Sequence, residues 1–204
     1  MPGLSGEGSD YVAAKAVRLM AMAATDPDET LMIAYSNGDA DAFAELYARH
    51  RGALYRFMRR QCSNAVVDEL FQDVWTSLIV ARDRYQPSAK FSTYLYQVAR
   101  NRLIDYFRAS GRNLEDAPGD DLPEVPAARG RQPENAVETR QQASQLLTLI
   151  EALPTAQREA FLLHQEAGLT LEEIGKVTGA GRETVKSRLR YALSTLREGM
   201  EGWL

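Results

Sequence analysis

Apolar residues recur every three to four positions through most of the chain, the spacing of helices that are buried along one side. On a first predicted helix, residues 39–60, the stripe consists of Phe43, Leu46, Tyr47, Leu54, Phe57 and Met58. On a second, residues 64–81, it consists of Val67, Leu70, Phe71, Val74, Trp75 and Leu78, with Trp75 in the core. A third helix is predicted to begin at a cap on Ser92 or Thr93 and to end near Arg108, before Gly111.

The helical period returns from Glu138 onward. Its first stripe, which ends before Pro154, consists of Leu146, Leu147, Leu149, Ile150 and Leu153. Thr170 and Glu173 stand at the spacing of a capping box, which predicts the start of a short helix. The segment Gly179–Gly181 permits a sharp turn. The next helix is predicted to bury Val185, Leu189, Ala192, Leu193 and Leu196. Two helices joined by a tight, glycine-containing turn indicate a helix-turn-helix.

Residues 113–137 separate the two helical parts and differ from them in composition. They include four of the eight prolines, and between 113 and 138 seven acidic residues stand against two arginines. Such a segment cannot bury enough apolar surface to fold alone, so we predict a flexible linker. The predicted fold class is all-α. It comprises an N-terminal extension (1–25), a first small helical domain (26–112), the linker (113–137) and a helix-turn-helix domain (138–204).

Charge is unevenly placed along the chain. The formal net charge is −4, so the whole molecule is not a polycationic nucleic-acid binder. Residues 49–60 nevertheless contain five arginines and no acid, and residues 90–112 and 182–197 each contain five bases against one acid. Basic patches on an acidic chain favour contact with DNA at defined places. A merely solvated helical face is the alternative, and the scarcity of compensating acids within 182–197 argues against it.

The sequence gives little support to other kinds of chemistry. Cys62 is the only cysteine, which excludes a disulfide within the chain and a multi-cysteine zinc site, and His50 and His164 are the only histidines. We expect no catalytic residues, no metal site, no cofactor and no enzymatic activity. No apolar run approaches the ~20 residues of a membrane span. Residues 12–24 contain Lys15 and Arg18 and make a poor signal peptide. A cytoplasmic protein without membrane insertion is predicted.

Three stretches of the chain together resemble the extracytoplasmic-function (ECF, group IV) sigma factors of bacterial RNA polymerase, part of the sigma-70 family. "GDADAFAELYARHRGALYRFMRR" is similar to the family's first conserved helix. "VVDELFQDVWTSLI" followed by "FSTYLYQVARNRLIDYFR" is similar to sigma domain 2. "IEALPTAQREAFLLHQEAGLTLEEIGKVTGAGRETVKSRLRYALSTLRE" is similar to sigma domain 4. The resemblance covers about Asp26 to Glu198 in the family's order, and it implies a promoter-specificity subunit without chemistry of its own.

Sigma domain 2 supplies two sets of candidate residues. On the second predicted helix, the residues facing away from the apolar stripe are Glu69, Gln72, Asp73 and Thr76. The resemblance implies that this face binds core RNA polymerase. On the third helix, one face holds Gln97, Asn101 and Arg108, with Arg100 beside them. The resemblance implies that this face and the loop 85–91 grip the minus-10 element as it opens, with the asparagine at a base edge and the arginines on phosphates. The aromatic residues able to stack on bases are Tyr94, Tyr96, Tyr106 and Phe107, although most of them are expected in the core.

Sigma domain 4 supplies the third set through the motif "TVKSRLR". The resemblance implies that its second helix recognises the minus-35 element in the major groove. The candidates for base edges are Lys186, Ser187 and Arg190, and those for phosphates are Arg182, Thr184 and Arg188. Glu183, in the same turn of helix, is able either to repel a phosphate or to accept from a cytosine amine, which leaves the preferred promoter sequence open.

Core RNA polymerase and promoter DNA are the partners that the resemblance implies, and an anti-sigma factor is expected as a third. The alternative is a stand-alone helix-turn-helix transcriptional regulator whose N-terminal half is a sensor or dimerisation domain. The two differ in one observable, since a sigma factor binds promoters specifically only together with the core enzyme. An enzyme fits poorly because catalytic clusters are missing.

Overall fold

The computed structural model describes residues 26–111 and 133–201, and of residues 133–140 it describes the backbone only. Within these ranges the chain forms eight α-helices, one short 3₁₀ turn and no strand, which confirms the predicted all-α fold class. The N-terminal extension and most of the predicted linker lie outside the described residues. No helix in the described ranges has the length and apolar character needed to span a membrane.

The first helical unit contains four helices and the 3₁₀ turn. They are α1 (Asp28–Ser36), α2 (Ala40–Arg59), α3 (Asn64–Ala81), the 3₁₀ turn (Arg82–Arg84) and α4 (Phe91–Ala109). The Asp39 side chain caps α2 by accepting from the backbone N–H groups of Asp41 (3.0 Å) and Ala42 (3.3 Å). The glycine after α4, Gly111, has φ 69°, a left-handed conformation that suits the end of a helix.

The core of the first unit follows the predicted stripes of α2, α3 and α4. Phe57 of α2 is fully buried and meets Tyr96 of α4 edge to face, with ring centroids 5.2 Å apart. Trp75 is 5% exposed and packs its edge on Tyr47 at 4.9 Å, so its predicted place in the core is confirmed. Phe107 is also buried. This packing holds α3 and α4 side by side, with the polar face of α3 toward solvent.

The beginning of α4 differs from the prediction. Neither Ser92 nor Thr93 caps it: the helix begins at Phe91, and Thr93 is buried inside its first turn. The Glu29 carboxylate of α1 instead accepts from the Phe91 backbone N–H at 2.6 Å. A side chain 62 positions earlier in the chain therefore satisfies a free donor of the helix, which is a contact that local pattern does not reveal.

The second helical unit has four helices. They are α5 (Pro133–Ala152), α6 (Thr155–Gln165), α7 (Leu171–Thr178) and α8 (Arg182–Met200). Helix α5 begins at Pro133, inside the segment that was predicted to be linker, whereas the sequence pattern placed the start of the domain at 138. Proline is well suited to the first position of a helix, because a backbone N–H at that position has no acceptor within the helix and its absence costs nothing. The division of the chain into domains otherwise stays a prediction.

The two units are in contact. Helix α4 of the first packs beside α7 of the second, and the buried apolar side chains of both form one continuous cluster. Ion pairs cross the contact from α2, α4 and the residue before α4 to acidic side chains of the second unit. The face of α4 that was predicted to touch DNA is therefore partly covered by the other unit.

Candidate nucleic-acid interface

The helix-turn-helix begins with the predicted capping box. Thr170 Oγ1 accepts from the Glu173 backbone N–H at 3.3 Å, and Glu173 Oε2 accepts from the Thr170 backbone N–H at 2.8 Å. Both interactions of the box are present, which confirms the start of α7 that the spacing predicted. The cap fixes the direction in which α7 leaves the preceding loop and so the position of the turn that follows.

Two glycines shape the turn between α7 and α8. Gly179 has φ 71°, a left-handed conformation that glycine adopts without a side-chain clash. Gly175 lies one turn earlier, and a Cβ at its position would stand 2.7 Å from the Ala180 carbonyl oxygen. The backbone of the turn thus lies directly against Gly175. Residues 179–181 were predicted to form the turn, whereas the role of Gly175 was not predicted, although a glycine inside a short helix was the available signal.

Helix α8 buries a narrow stripe consisting of Val185, Leu189, Ala192 and Leu196. Leu193, which was predicted to belong to this stripe, is 44% exposed. At 100° per residue the four buried side chains fall within about 60° of arc, and Leu193 lies about 70° from the centre of that arc. Its neighbour Tyr191 is also largely exposed. Helix α8 therefore presents apolar as well as basic surface to solvent.

The minus-35 candidates on α8 differ in how exposed their side chains are. The exposed ones are Arg182, Thr184, Lys186 and Arg190, and the half-buried ones are Ser187 and Arg188. Acidic side chains lie among them: Arg182 pairs with Glu172 and Glu183, and Lys186 Nζ is 3.7 Å from Glu183 Oε2. The Arg190 guanidinium lies over the Tyr191 ring, 5.0 Å from its centroid.

Arg188 differs from the other α8 bases in its surroundings. It contributes to the electrostatic field at Glu159 of α6, a carboxyl that is only 4% exposed. Burial raises the pKa of Glu159, and the charges of Arg100 and Arg188 act in the opposite direction. Arg188 is itself half-buried, unlike the exposed Arg182, Lys186 and Arg190.

The minus-10 candidates on α4 are not equivalent. Gln97, Asn101 and Arg108 are exposed, as the face was predicted to be. Arg100 is half-buried, and its Nε donates to Glu159 Oε1 at 2.8 Å. Arg100 thus has a carboxylate partner from the second unit at the place where a phosphate was predicted. Sequence pattern gives no sign of this pairing, because the two residues are 59 positions apart.

A groove of about 580 Å³ lies between α3 and α4. It brings Asp73 and Thr76, two of the polymerase-binding candidates, together with Asn101 of the minus-10 set. The remaining polymerase-binding candidates, Glu69 and Gln72, are exposed on the same helix. The groove also contains residues that were not predicted as candidates, among them Arg102 and Val80.

These two added residues give the groove its character. Arg102 Nε donates to Ser77 Oγ at 3.0 Å, which holds its guanidinium across the groove. Val80 is 78% exposed, a large apolar exposure at the C-terminal end of α3. A valine on the polar side of α3 was the signal available in the sequence.

The aromatic candidates divide between core and surface. Tyr96 and Phe107 are buried, as expected for most of the set, and burial raises the pKa of the Tyr96 hydroxyl. Tyr94 lines the groove and meets Tyr85 of the preceding loop at 5.5 Å between ring centroids. Burial first, and then the charge of Glu29, raises the pKa of Tyr85 to about 12, so this loop residue stays neutral across the physiological range. The loop is therefore packed against α4.

Two family models match separate parts of the chain. The model of Sigma-70 region 2 matches residues 46–113, and that of Sigma-70, region 4 matches residues 143–196. The two together cover more than half of the chain. The first spans most of α2 to α4, and the second spans the helix-turn-helix and the helices before it.

Two relatives match this chain over about nine tenths of their own length. The RNA polymerase sigma factor CarQ of Myxococcus xanthus is 29% identical over 80% of this chain and 92% of its own. The ECF RNA polymerase sigma factor SigW of Bacillus subtilis is 27% identical over 79% of this chain and 90% of its own. Such breadth of match agrees with a sigma factor and does not favour the stand-alone regulator.

Solved structures support the fold. CnrH, in complex with the cytosolic domain of CnrY, superposes with a TM-score of 0.62 at 21% identity, covering 87% of this chain and 99% of that one. The sigma factor RpoE of Bartonella quintana, in complex with the anti-sigma factor NepR, gives 0.62 at 22% identity, with 78% and 96% covered. With both sigma-70 regions present in order, the chain belongs to the ECF sigma factors of the sigma-70 family and is an RNA polymerase sigma factor.

Proposed function

We propose that the two helical units divide promoter recognition between them, with α8 binding the minus-35 element and α4 the minus-10 element, while α3 holds the core enzyme. The observation that supports this most is the groove between α3 and α4, which places Asp73 and Thr76 beside Asn101. A surface that docks polymerase is thereby continuous with one that is able to hold an unpaired base. Binding of core enzyme and opening of DNA then take place on adjoining surfaces.

At the minus-35 element, the exposed first half of α8 enters the major groove. Lys186, Ser187 and Arg190 are proposed to contact base edges, and Arg182, Thr184 and Arg188 to contact phosphates. Glu183 already pairs with Arg182 and Lys186. DNA carries negative charge that competes with Glu183 for these two basic side chains. The ion pairs must therefore rearrange when DNA binds. Glu183 is then free to accept from a cytosine amine.

At the minus-10 element, the exposed amide of Asn101 supplies a donor and an acceptor together, a match for the edge of a base that has left the stack. Gln97 flanks it on the same face, and Arg108 and Arg100 are proposed to bind phosphates. Tyr94, at the rim of the groove, offers a ring on which a single-stranded base is able to stack.

We infer a cytoplasmic, non-catalytic protein whose partners are core RNA polymerase, promoter DNA and an anti-sigma factor. The anti-sigma partner is supported by the fold shared with RpoE of Bartonella quintana, which was solved with the anti-sigma factor NepR. No metal or cofactor is invoked in this mechanism.

Run-off transcription with purified core polymerase on a genomic DNA pool tests the proposed function. Core enzyme with this protein should start at discrete promoters, and neither component alone should do so. A permanganate footprint of unpaired thymines then compares the wild type with Asn101→Ala, with core binding measured separately. Slower opening at unchanged core binding supports the assignment of Asn101. Wild-type melting in the variant, or an equal loss of core binding, refutes it.

A further inference from the structure

Helix α1 contacts the chain on both sides of the loop 85–91. At the C-terminal end of the loop, the Glu29 carboxylate accepts from the Phe91 backbone N–H at 2.6 Å. Before the loop, the Arg82 guanidinium of the 3₁₀ turn lies over the Tyr35 ring, 5.5 Å from its centroid. Glu29 and Tyr35 stand about 9 Å apart along the axis of α1. One helix therefore contacts both segments between which the loop runs.

Helix α1 is itself fixed to the first unit. It packs on α2, and its side chains Leu31 and Met32 are fully buried. Asp28 Oδ1 accepts from Arg49 Nη1 at 2.8 Å, and Asp28 Oδ2 lies 2.6 Å from His50 Nε2, both on α2. Apolar burial and charged hydrogen bonds together restrict the motion of α1 relative to α2. A side chain of α1 is therefore able to hold a neighbouring segment in a defined place.

The loop is exposed in its middle and packed at its ends. Residues 86–88 are exposed. Tyr85 is half-buried and meets Phe91 at 6.5 Å and Tyr94 at 5.5 Å between ring centroids. Burial first, and then the charge of Glu29, raises the pKa of Tyr85, so Glu29 lies close enough to act on this end of the loop as well. The conformation of the exposed middle thus depends on how firmly the two ends are held.

The hydrogen bond from Phe91 to Glu29 fixes the junction between the loop and α4. The Phe91 N–H is one of the donors in the first turn of α4 that have no acceptor within the helix. The preceding residue, Lys90, has no acceptor in its side chain and does not cap the helix. A carboxylate at this position satisfies the donor and is favoured by the helix dipole. Without Glu29, the first turn of α4 and the end of the loop lose the interaction that fixes them.

From this arrangement we propose that α1 sets the conformation of the loop 85–91, and that Glu29 is thereby a positioning residue for the minus-10 element. This inference rests on the proposed function, in which α4 binds the minus-10 element, and on the part that the loop is expected to take in gripping it. Glu29 acts through the Phe91 backbone rather than by contact with DNA. Holding the loop in one conformation raises the population that is ready to accept an unpaired base. The Sigma-70 region 2 model matches residues 46–113, so α1 lies before the matched part.

Electron paramagnetic resonance of the full-length protein tests the holding of the loop without polymerase or DNA. A nitroxide label on Ser88→Cys reports the motion of the exposed middle of the loop. The label reacts at this site because Cys62, the only cysteine in the sequence, is buried. Glu29→Ala should shift the spectrum toward the mobile component, since the Phe91 N–H loses its acceptor. An unchanged spectrum in this variant overturns the inference.

Two further variants test the hydrogen bond and the second contact separately. Glu29→Gln keeps a side-chain carbonyl oxygen that is able to accept the same hydrogen bond, so its spectrum should match that of the wild type. A spectrum like that of Glu29→Ala would overturn the role of the hydrogen bond. Arg82→Ala removes the contact before the loop and should shift the spectrum in the same direction as Glu29→Ala, and it provides the test if Glu29→Ala does not fold. No shift in Arg82→Ala would contradict the holding of the loop from both sides.

Asp39→Ala is the matched control for stability. Asp39 caps α2 as Glu29 caps α4, but the backbone N–H groups from which it accepts, those of Asp41 and Ala42, belong to α2. Loss of either cap should lower the midpoint of thermal unfolding, measured by circular dichroism, by roughly 2–6 °C. The control should keep the wild-type spectrum of the label. An equal shift in the control would mean that the loop responds to lowered stability alone, which overturns the positioning role.

Promoter opening by the reconstituted holoenzyme tests the consequence for DNA. In timed permanganate footprints, Glu29→Ala should open a promoter about threefold to tenfold more slowly than the wild type, because fewer molecules hold the loop ready. Glu29→Gln and the control should open it at the wild-type rate, and core binding should be unchanged in all three. Wild-type opening by Glu29→Ala despite a mobile loop, or an equal loss of core binding, overturns the role of Glu29. Absence of opening with the wild-type protein refutes the proposed function and leaves the result from the label intact.

Discussion

Helices α4 and α8 are both basic, both exposed along one face and both assigned to DNA, yet their bases have different surroundings. On α8, Arg182 and Lys186 pair with acids of their own unit, at the surface. On α4, Arg100 pairs with Glu159 of the other unit, and that carboxylate is buried. An ion pair at the surface contributes little free energy, so a DNA phosphate readily replaces its carboxylate. An arginine that is paired with a buried carboxylate becomes available to DNA only when the two units separate.

The comparison shows that two helices of similar local charge differ in how accessible their basic side chains are to DNA. A basic helix face predicts affinity for DNA, but whether the face is accessible depends on contacts that are distant in the sequence. In this protein α8, the helix proposed to bind the upstream element, is mostly accessible, and α4, the helix proposed to bind the minus-10 element, is partly covered.

The largest expected effect comes from breaking the scaffold under α4. Phe57→Ala removes a fully buried ring that meets Tyr96 edge to face. The free energy of unfolding should fall by about 3–5 kcal/mol, the cost of a large cavity. Urea unfolding monitored by circular dichroism measures this change. The exposed aromatic Tyr191 is the matched control on the other helix, and Tyr191→Ala should lower the free energy of unfolding by no more than ~0.5 kcal/mol.

A second change acts on the α8 side alone. Gly175→Ala places a methyl group 2.7 Å from the Ala180 carbonyl oxygen and should cost about 1–3 kcal/mol in unfolding free energy, since backbone must move. Gly179→Ala, strained only by its φ of 71°, should cost about 1–2 kcal/mol. Gly181 has open space around it and an ordinary φ, so Gly181→Ala should be nearly neutral. A cost for Gly181→Ala equal to that for Gly175→Ala would contradict the proposed packing of the turn.

A third set of changes separates base contacts from phosphate contacts within α8. Lys186→Ala and Arg190→Ala should each weaken binding of the matched minus-35 sequence by about 1–3 kcal/mol and relax sequence preference. Arg188→Ala should weaken all sequences alike. Gel-shift titration of the polymerase holoenzyme on matched and mismatched upstream elements distinguishes the two patterns. Uniform losses for all three variants would mean that this face does not contact base edges.

The smallest expected effect concerns the helix that holds the start of α4. Burial disfavours the charged form of Asp28, but hydrogen bonds from His50 and Arg49 outweigh it and lower the pKa of Asp28. Because the pKa of Asp28 is lower in the folded state than its unfolded-state value of about 4, the ionised carboxylate stabilises the folded protein at pH values above about 4. This stabilisation is lost as the pH falls through the folded-state pKa. Because the site is partly exposed, the contribution should stay below ~1 kcal/mol. Asp28→Asn should lower the free energy of unfolding by this amount near neutral pH, and it should make that free energy less dependent on pH in the acid range. An unchanged pH dependence in the variant would mean that the interactions of Asp28 do not contribute to it.

Features that depend on local chemistry were predictable from the sequence. The capping box of Thr170 and Glu173 follows from spacing alone, and the burial of Trp75 and Phe107 follows from the period of their helices. The beginning of α5 at Pro133 was missed because an acidic, proline-rich composition outweighed the suitability of proline for the first turn. Assignment of individual residues to DNA or polymerase rests on the family resemblance and stays a prediction.

Features that depend on pairs distant in the chain were not predictable in this way. The cap that Glu29 places on α4, the contact of Gly175 with the turn and the pair of Arg100 with Glu159 each join residues whose proximity is set by packing. Periodicity assigns a residue to a face of its own helix, but it does not specify what covers that face. The candidate surfaces were therefore predictable from the sequence, whereas the partial covering of one of them by the other unit was not.

Transcription from a library of randomised promoters, with sequencing of the templates that core polymerase uses, tests the central claim of two separate recognition helices. The wild type should select an upstream and a downstream element at a fixed spacing. Lys186→Ala should relax the upstream element only, and Asn101→Ala should alter the downstream element only. Selection of a single element by the wild type, or loss of both elements in either variant, would contradict the division of recognition between α8 and α4.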